Sequence, residues 1–252
     1  MAKEKPFFIG WESETPKPLV GFVGFITVLV LVGGLAIAGV AAALQQTVGP
    51  GTWDFTESRF EGVFVAEPVP MLIEESDNGQ RLHFLVKPFK YGFSAEEASQ
   101  FHLKKVGLTA SFLSTDVDSM LEVVSEIEVL DDSALPQSPL AKQTVDGICV
   151  IRGEIVDSKC WLGAMNPGTF KPHRACAIQC IRGGIPVGFL ARDTAGNHEF
   201  FLLMGPNGEA LNDVVLDYVA EPIEVSGVLS YAGSQPILRI NPDQIVRLAG
   251  KT

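Results

Sequence analysis

The chain has 252 residues, 46% of them hydrophobic, with 19 Lys and Arg against 30 Asp and Glu and a net charge of −11. That length accommodates one large or two small domains beside a membrane segment. The acidic excess would repel a polyanion instead of releasing its counterions, so no nucleic acid is expected as a partner.

Residues 1–18 include "KPFFIGWESETPKP" and precede an uncharged run over 19–44, "LVGFVGFITVLVLVGGLAIAGVAAAL". About 20 such residues cross a lipid bilayer, which predicts a transmembrane helix. The run exceeds the apolar core of a cleaved signal peptide, roughly 7–15 residues. Lys3, Lys5 and Lys17 precede it, whereas only Arg59 follows within about 15 residues, so the bias of positive charge predicts a cytoplasmic N-terminal segment. The rest of the chain is then periplasmic, at a bacterial inner (cytoplasmic) membrane. Within the run, Gly33, Gly34, Ala38, Gly39 and Ala43 are small enough to admit a neighbouring membrane helix.

After the Pro/Gly break "VGPGTW", residues 53–130 read as a first β domain, 131–144 as a linker and 145–250 as a second β domain. In the first, "FEGVFVAEPVPMLI", "RLHFLVKPF", "KKVGLTASFL" and "MLEVVSEIEVL" have strand composition. "SAEEASQFH" is a helix with a Ser94/Glu97 capping box. In the second, "ICVIRGEIVDS", "IPVGFLARD", "HEFFLLMG", "PIEVSGVLSY" and "ILRINPDQIVRL" are strands, and "LNDVVLDYVA" reads as a helix.

The halves share an order, beginning with a glycine-bearing first strand at Gly62 and at Gly153. Five short strands with a helix before the fourth fit a small Greek-key barrel of the oligonucleotide/oligosaccharide-binding (OB) type. The expected fold is all-β with minor helices: one N-terminal transmembrane helix followed by two tandem OB-like barrels.

Chemistry concentrates at Cys160, His173, Cys176 and Cys180. A short helix ending at Gly183-Gly184 places His173, Cys176 and Cys180 on one face. Cys160 paired with Cys176 or Cys180 in a disulfide is the first expectation, since an exported location oxidises thiols and such a loop would be stabilised by roughly 3 kcal/mol. A Cys3His zinc site is the alternative, having the ligand number and softness that zinc takes. A redox-active thiol pair is the third. Cys149 lies in the apolar run "GICVIRG" and is expected to be buried and free. His83 and His102 are expected on the surface or on strand faces, and His198, beside Asn197 in the turn "TAGNH", is expected to be exposed.

Gly153, Asp157, Ser158, Cys160, His173, Cys176, Ala177, Cys180, Gly183 and Gly184 together form a pattern. It resembles that of small bacterial exported or membrane-anchored OB-like proteins with a DSxC…HxxCAxxC-type cysteine motif. The likeness covers roughly residues 150–250, and the spacing in this chain is His-x2-Cys-x3-Cys. It implies an OB-like fold and an exported compartment, and it brings no catalytic activity with it.

GxGxxG, GxSxG and HExxH are absent from the sequence, so nothing points to an enzyme. The leading functional expectation is an accessory or structural subunit docked on the membrane protein subunits of a larger complex, such as a respiratory or electron-transfer assembly. Metal or thiol handling by the cysteine cluster is the alternative. A glycan- or peptide-binding OB module is a third class, with Trp161, Phe170 and Tyr231 as its candidate aromatics.

Overall fold

The computed structural model describes residues 17–44, 50–76, 79–133, 135, 137–193 and 197–248. Lys3, Lys5 and most of the N-terminal segment lie outside them. The chain divides into two compact units, Met1–Thr47 and Val48–Thr252.

In the first unit, helix α1 (Val20–Leu44) follows a short turn over Lys17–Leu19. The stretch Lys17–Ala42 is long and apolar enough to cross a membrane, with a mean hydropathy of 2.6. No position facing other atoms constrains its glycines: a Cβ added at Gly33, Gly34 or Gly39 would meet nothing within 4 Å among the described residues. Ala38 is exposed on the same helix, and Ala43 lies in its last turn.

The second unit holds both barrels. The first is built from β1 (Thr52–Val65), β2 (Met71–Ser76), β3 (Gly79–Val86), helix α2 (Ala95–Ser99), β4 (Lys105–Ser114) and β5 (Ser119–Val123), with β6 (Glu128–Asp131) beside β4. Its strands pair in the order β1-β2-β3-β5-β4, and the β1–β4 pairing closes the ring. The one parallel contact in that ring is β3 with β5, at Phe84↔Met120.

The second barrel repeats this plan with β8 (Cys149–Asp157), β9 (Val187–Arg192), β10 (His198–Met204), β11 (Ile223–Ala232) and β12 (Gln235–Ile240). Its β10 and β12 are parallel at Leu202↔Ile237, and β11–β12 and β11–β8 pairings complete the ring. The matched glycines serve the same purpose in both rings. A Cβ at Gly62 would lie 2.3 Å from the Ile73 carbonyl oxygen, and one at Gly153 2.2 Å from that of Leu190. Only glycine lets the first strand press so close to the second while it curls from one edge of the barrel to the other.

Three local expectations change. Residues 119–131 form two strands, β5 and β6, instead of one. The stretch 211–220 is turns with a single 3-10 turn at Leu216–Tyr218, because Ala220 takes a left-handed φ of 58° and donates its N–H to the Ile155 carbonyl. The residues read as a linker contribute Leu140 to the core and β7 (Lys142–Thr144) to the edge of β11. By contrast, α2 carries the anticipated capping box, Ser94 and Glu97 each accepting from the other's backbone N–H.

The barrels share an apolar core in which Phe84, Val86 and Met120 of the first join Trp161, Ile185 and Phe200 of the second. The rings of Phe84 and Phe200 meet edge to face at 6.3 Å. Through this core runs one buried ion pair, Lys159 Nζ to Glu122 Oε2 at 2.7 Å. The ammonium also donates to the carbonyls of Phe89 (2.7 Å) and Lys87 (3.4 Å).

Removing one partner of such a pair leaves a charge uncompensated in a low-dielectric interior. Lys159→Met should therefore destabilise the protein by about 3 kcal/mol, read as a lowered urea midpoint. Glu122→Gln/Lys159→Met together should recover most of that loss; a double variant as unstable as the sum of the singles would show that the two side chains act independently.

Candidate metal centre

The site is an insertion between β8 and β9. Strand β8 ends at Asp157, whose carboxylate is fully buried, and the chain then enters a wide helical turn, Cys160–Ala164. Asp157 Oδ1 accepts from the Cys160 N–H at 2.9 Å, which fixes where that cysteine begins the turn. A loop leads into helix α3 (Phe170–Arg182). The first helical N–H, that of Phe170, is satisfied by the buried carboxylate of Glu154 on β8 at 2.8 Å, with Arg192 pairing the other oxygen at 2.7 Å. At the far end Asn212 Nδ2 donates to the carbonyls of Ile181 and Ile185. Anchored at both ends, α3 has its rotation about its own axis set.

That rotation turns Cys176 and Cys180 toward Cys160. The three sulfurs lie within 4.8 Å of one another, with Cys160 Sγ and Cys176 Sγ at 4.0 Å. All four cysteines of the chain are free. The expected disulfide of Cys160 with Cys176 or Cys180 is thus not formed: three sulfurs converge on one point where a disulfide needs two in bonding contact. A tetrahedral ion with sulfurs at about 2.3 Å spaces them about 3.8 Å apart, close to the separation found.

His173 takes a different place from the one expected. It is buried on the same face of α3, but its Nε2 bonds Asp157 Oδ2 at 2.8 Å. It groups with Asp157 and Cys160 within 4.8 Å, whereas the cysteine trio forms a group of its own. Its Nδ1 is buried without a hydrogen-bond partner among the described residues. Cys160 belongs to both groups and joins them.

Lys90, which sequence reasoning missed, completes the centre from the first barrel. Its Nζ lies 2.9 Å from Cys176 Sγ and 3.5 Å from Cys180 Sγ. The loop that carries it is pressed onto the end of α3. The Gly92 N–H donates to the Gly183 carbonyl at 2.8 Å, and a Cβ at Gly183 would fall 1.8 Å from the Lys90 carbonyl oxygen. The hydrogen bond to Cys176 raises the affinity of Lys90 for its proton. The hydrogen bond that Cys160 gives Cys180 pushes the Cys160 thiol well up and draws the Cys180 thiol down, the latter aided by Lys90. The arrangement thus offers sulfur ligands, one of them predisposed to the thiolate form, beside a built-in positive charge.

The remaining candidates fall elsewhere. Cys149 is half-buried and donates to the Gly227 carbonyl at 3.2 Å. His83 stands on a face of strand β3, as one of the two expected placements has it, and is buried there between Glu74 and Ser119. His102 accepts from the Ala66 N–H, and His198 is exposed. Of the aromatics named for a glycan or peptide face, Trp161 is buried in the core, Tyr231 is half-buried and Phe170 stacks under Arg192 at 3.9 Å. They make no common platform.

Brief alkylation of the folded protein should label Cys176 and Cys149 before Cys160 and Cys180, which become reactive only on unfolding; equal labelling of all four, read by peptide mass, would mean the cluster is open to solvent. No family model matches the chain, nor does any curated protein or solved structure.

Proposed function

We propose that this is a membrane-tethered metal-binding protein, whose tandem OB-like barrels close Cys160, Cys176 and Cys180 around a thiophilic ion of the zinc class. The observation that carries the reading is the convergence of three sulfurs within 4.8 Å at a separation suited to tetrahedral coordination. Three thiolates around a divalent ion leave one negative charge, and a buried charge needs a partner. Lys90 supplies it. Asp157 holds Cys160 by its backbone and His173 by its ring, the kind of outer support that tunes ligand affinity.

The protein purified full-length in detergent should carry about one zinc-class ion per chain, with Cys160→Ser and Cys176→Ser each losing it. Asp157→Asn should weaken binding roughly 10–100-fold. A metal-free protein with a Cys160–Cys176 disulfide on non-reducing peptide mapping would overturn the reading.

The anchor reading places α1 in the bacterial inner membrane, with the N-terminus cytoplasmic and both barrels periplasmic. A labelling assay should find residue 252 outside the cytoplasm; its detection inside would reverse the topology. A second reading, as a subunit of a larger membrane complex of the respiratory or electron-transfer kind, is favoured by the two aromatics that flank Lys90. Phe89 is 82% and Tyr91 58% exposed, an apolar rim beside the sulfur cluster that a partner subunit would cover.

A further inference from the structure

Lys90 and Cys176 are closer than an ion pair with sulfur requires. Their separation of 2.9 Å is that of an ordinary N–H···O hydrogen bond, although sulfur is much the larger atom. We propose that this pair is a modification site, at which oxidant inserts one oxygen between Lys90 Nζ and Cys176 Sγ to give a covalent N–O–S bridge across the two barrels whenever the cluster holds no metal.

The geometry favours this product over its competitors. A disulfide between Cys160 and Cys176 would have to draw sulfurs from 4.0 Å to about 2.05 Å, against a turn and a helix that are both anchored. A single oxygen with ordinary bonds to each neighbour keeps nitrogen and sulfur near the separation they already have. Cys176 is half-buried, while Cys160 and Cys180 are buried, so oxidant reaches Cys176 first. The loop that carries Lys90 is held by its backbone, the Phe89 carbonyl accepting from Lys159 and Gly92 donating to Gly183, and the nitrogen itself lies against the sulfurs of Cys176 and Cys180. Two groups so fixed react at a high effective concentration.

The chemistry balances with hydrogen peroxide as the oxidant. One peroxide first converts the Cys176 thiol to a sulfenic acid and releases a water, which removes the sulfur partner that kept Lys90 protonated; the ammonium then gives one proton to solvent, and a second peroxide converts the resulting amine to a hydroxylamine with release of another water. The hydroxylamine oxygen then attacks the sulfenic sulfur, the S–OH bond breaks and a third water leaves. Two electrons are lost by sulfur and two by nitrogen, four in all, and two peroxides accept them. Two equivalents of a dithiol reverse the sequence, returning amine, thiol and one water. The bridge removes Cys176 from the ligand set, so it would close the site to metal; that consequence rests on the metal reading above, whereas the bridge itself does not.

The test uses the full-length protein in detergent, stripped of metal by chelator, treated with hydrogen peroxide and digested without reductant. The expected result is a linked pair of peptides containing Lys90 and Cys176, about 14 Da heavier than their sum, since one oxygen is gained and two hydrogens are lost. Dithiothreitol should return the separate peptides, and Lys90→Arg, which keeps the charge, should abolish the species while leaving the thermal unfolding midpoint in place. A Cys176 disulfide, or Cys176 sulfinic acid beside an unmodified Lys90, would overturn the proposal. The bridge is read from peptide mass and the metal site from ion content, so either can fail alone.

Discussion

A single buried ammonium holds the arrangement together. Lys159 sits two residues after Asp157 and one before Cys160, and its charge can be accommodated in the shared core only because Glu122 meets it and two backbone carbonyls turn toward it. Those carbonyls belong to Lys87 and Phe89, so satisfying the charge also fixes the loop that delivers Lys90. A buried pair of this kind adds little net stability compared with an apolar contact, but it strongly penalises every arrangement that leaves one member alone. The pair therefore selects one docking of the two barrels among the many that apolar packing would tolerate. The sulfur cluster depends on that selection.

Both barrels have the same strand order and the same close approach of a glycine in the first strand, yet among the described residues the cysteine cluster is carried by the second alone. Between its first two strands the first barrel has a short connection over residues 66–70, whereas the second has the cysteine turn and helix α3. The scaffold is thus duplicated and the site grafted onto one copy. The other copy is not idle, for it provides the loop packed on the end of α3, the ammonium of Lys90 and half of the ion pair.

Much of the barrel plan was legible in the sequence because strand composition, turn residues and the glycines of the first strands are local signals. The helix bearing Cys176 and Cys180 was legible for the same reason, its end marked by Gly183-Gly184. What escaped were partnerships between distant segments. Lys90 lies in "KPFKYGF" with no spacing relation to any cysteine, and Glu122 stands in an apolar strand where an acid gives no hint of its partner. Residues 211–220 misled by their composition: their apolar side chains line the second barrel's core, as Leu211, Val215 and Val219 show, but the backbone reaches it through turns. The choice between thiols and a disulfide was equally hidden, since it depends on the rotation of α3 that Glu154 and Asn212 impose from either end.

Lys90 is separated from the cysteines it touches by 86 and 90 positions along the chain. During synthesis the first barrel can close its ring as soon as β5 has emerged, long before α3 exists, and N-terminal domains commonly fold first. Its loop then waits with an unpaired ammonium, and the thiols that follow enter solution uncovered until the second ring closes behind them. The nascent chain is accordingly the form of this protein most open to stray oxidation or to the wrong ion, and the docking of one barrel on the other ends that interval.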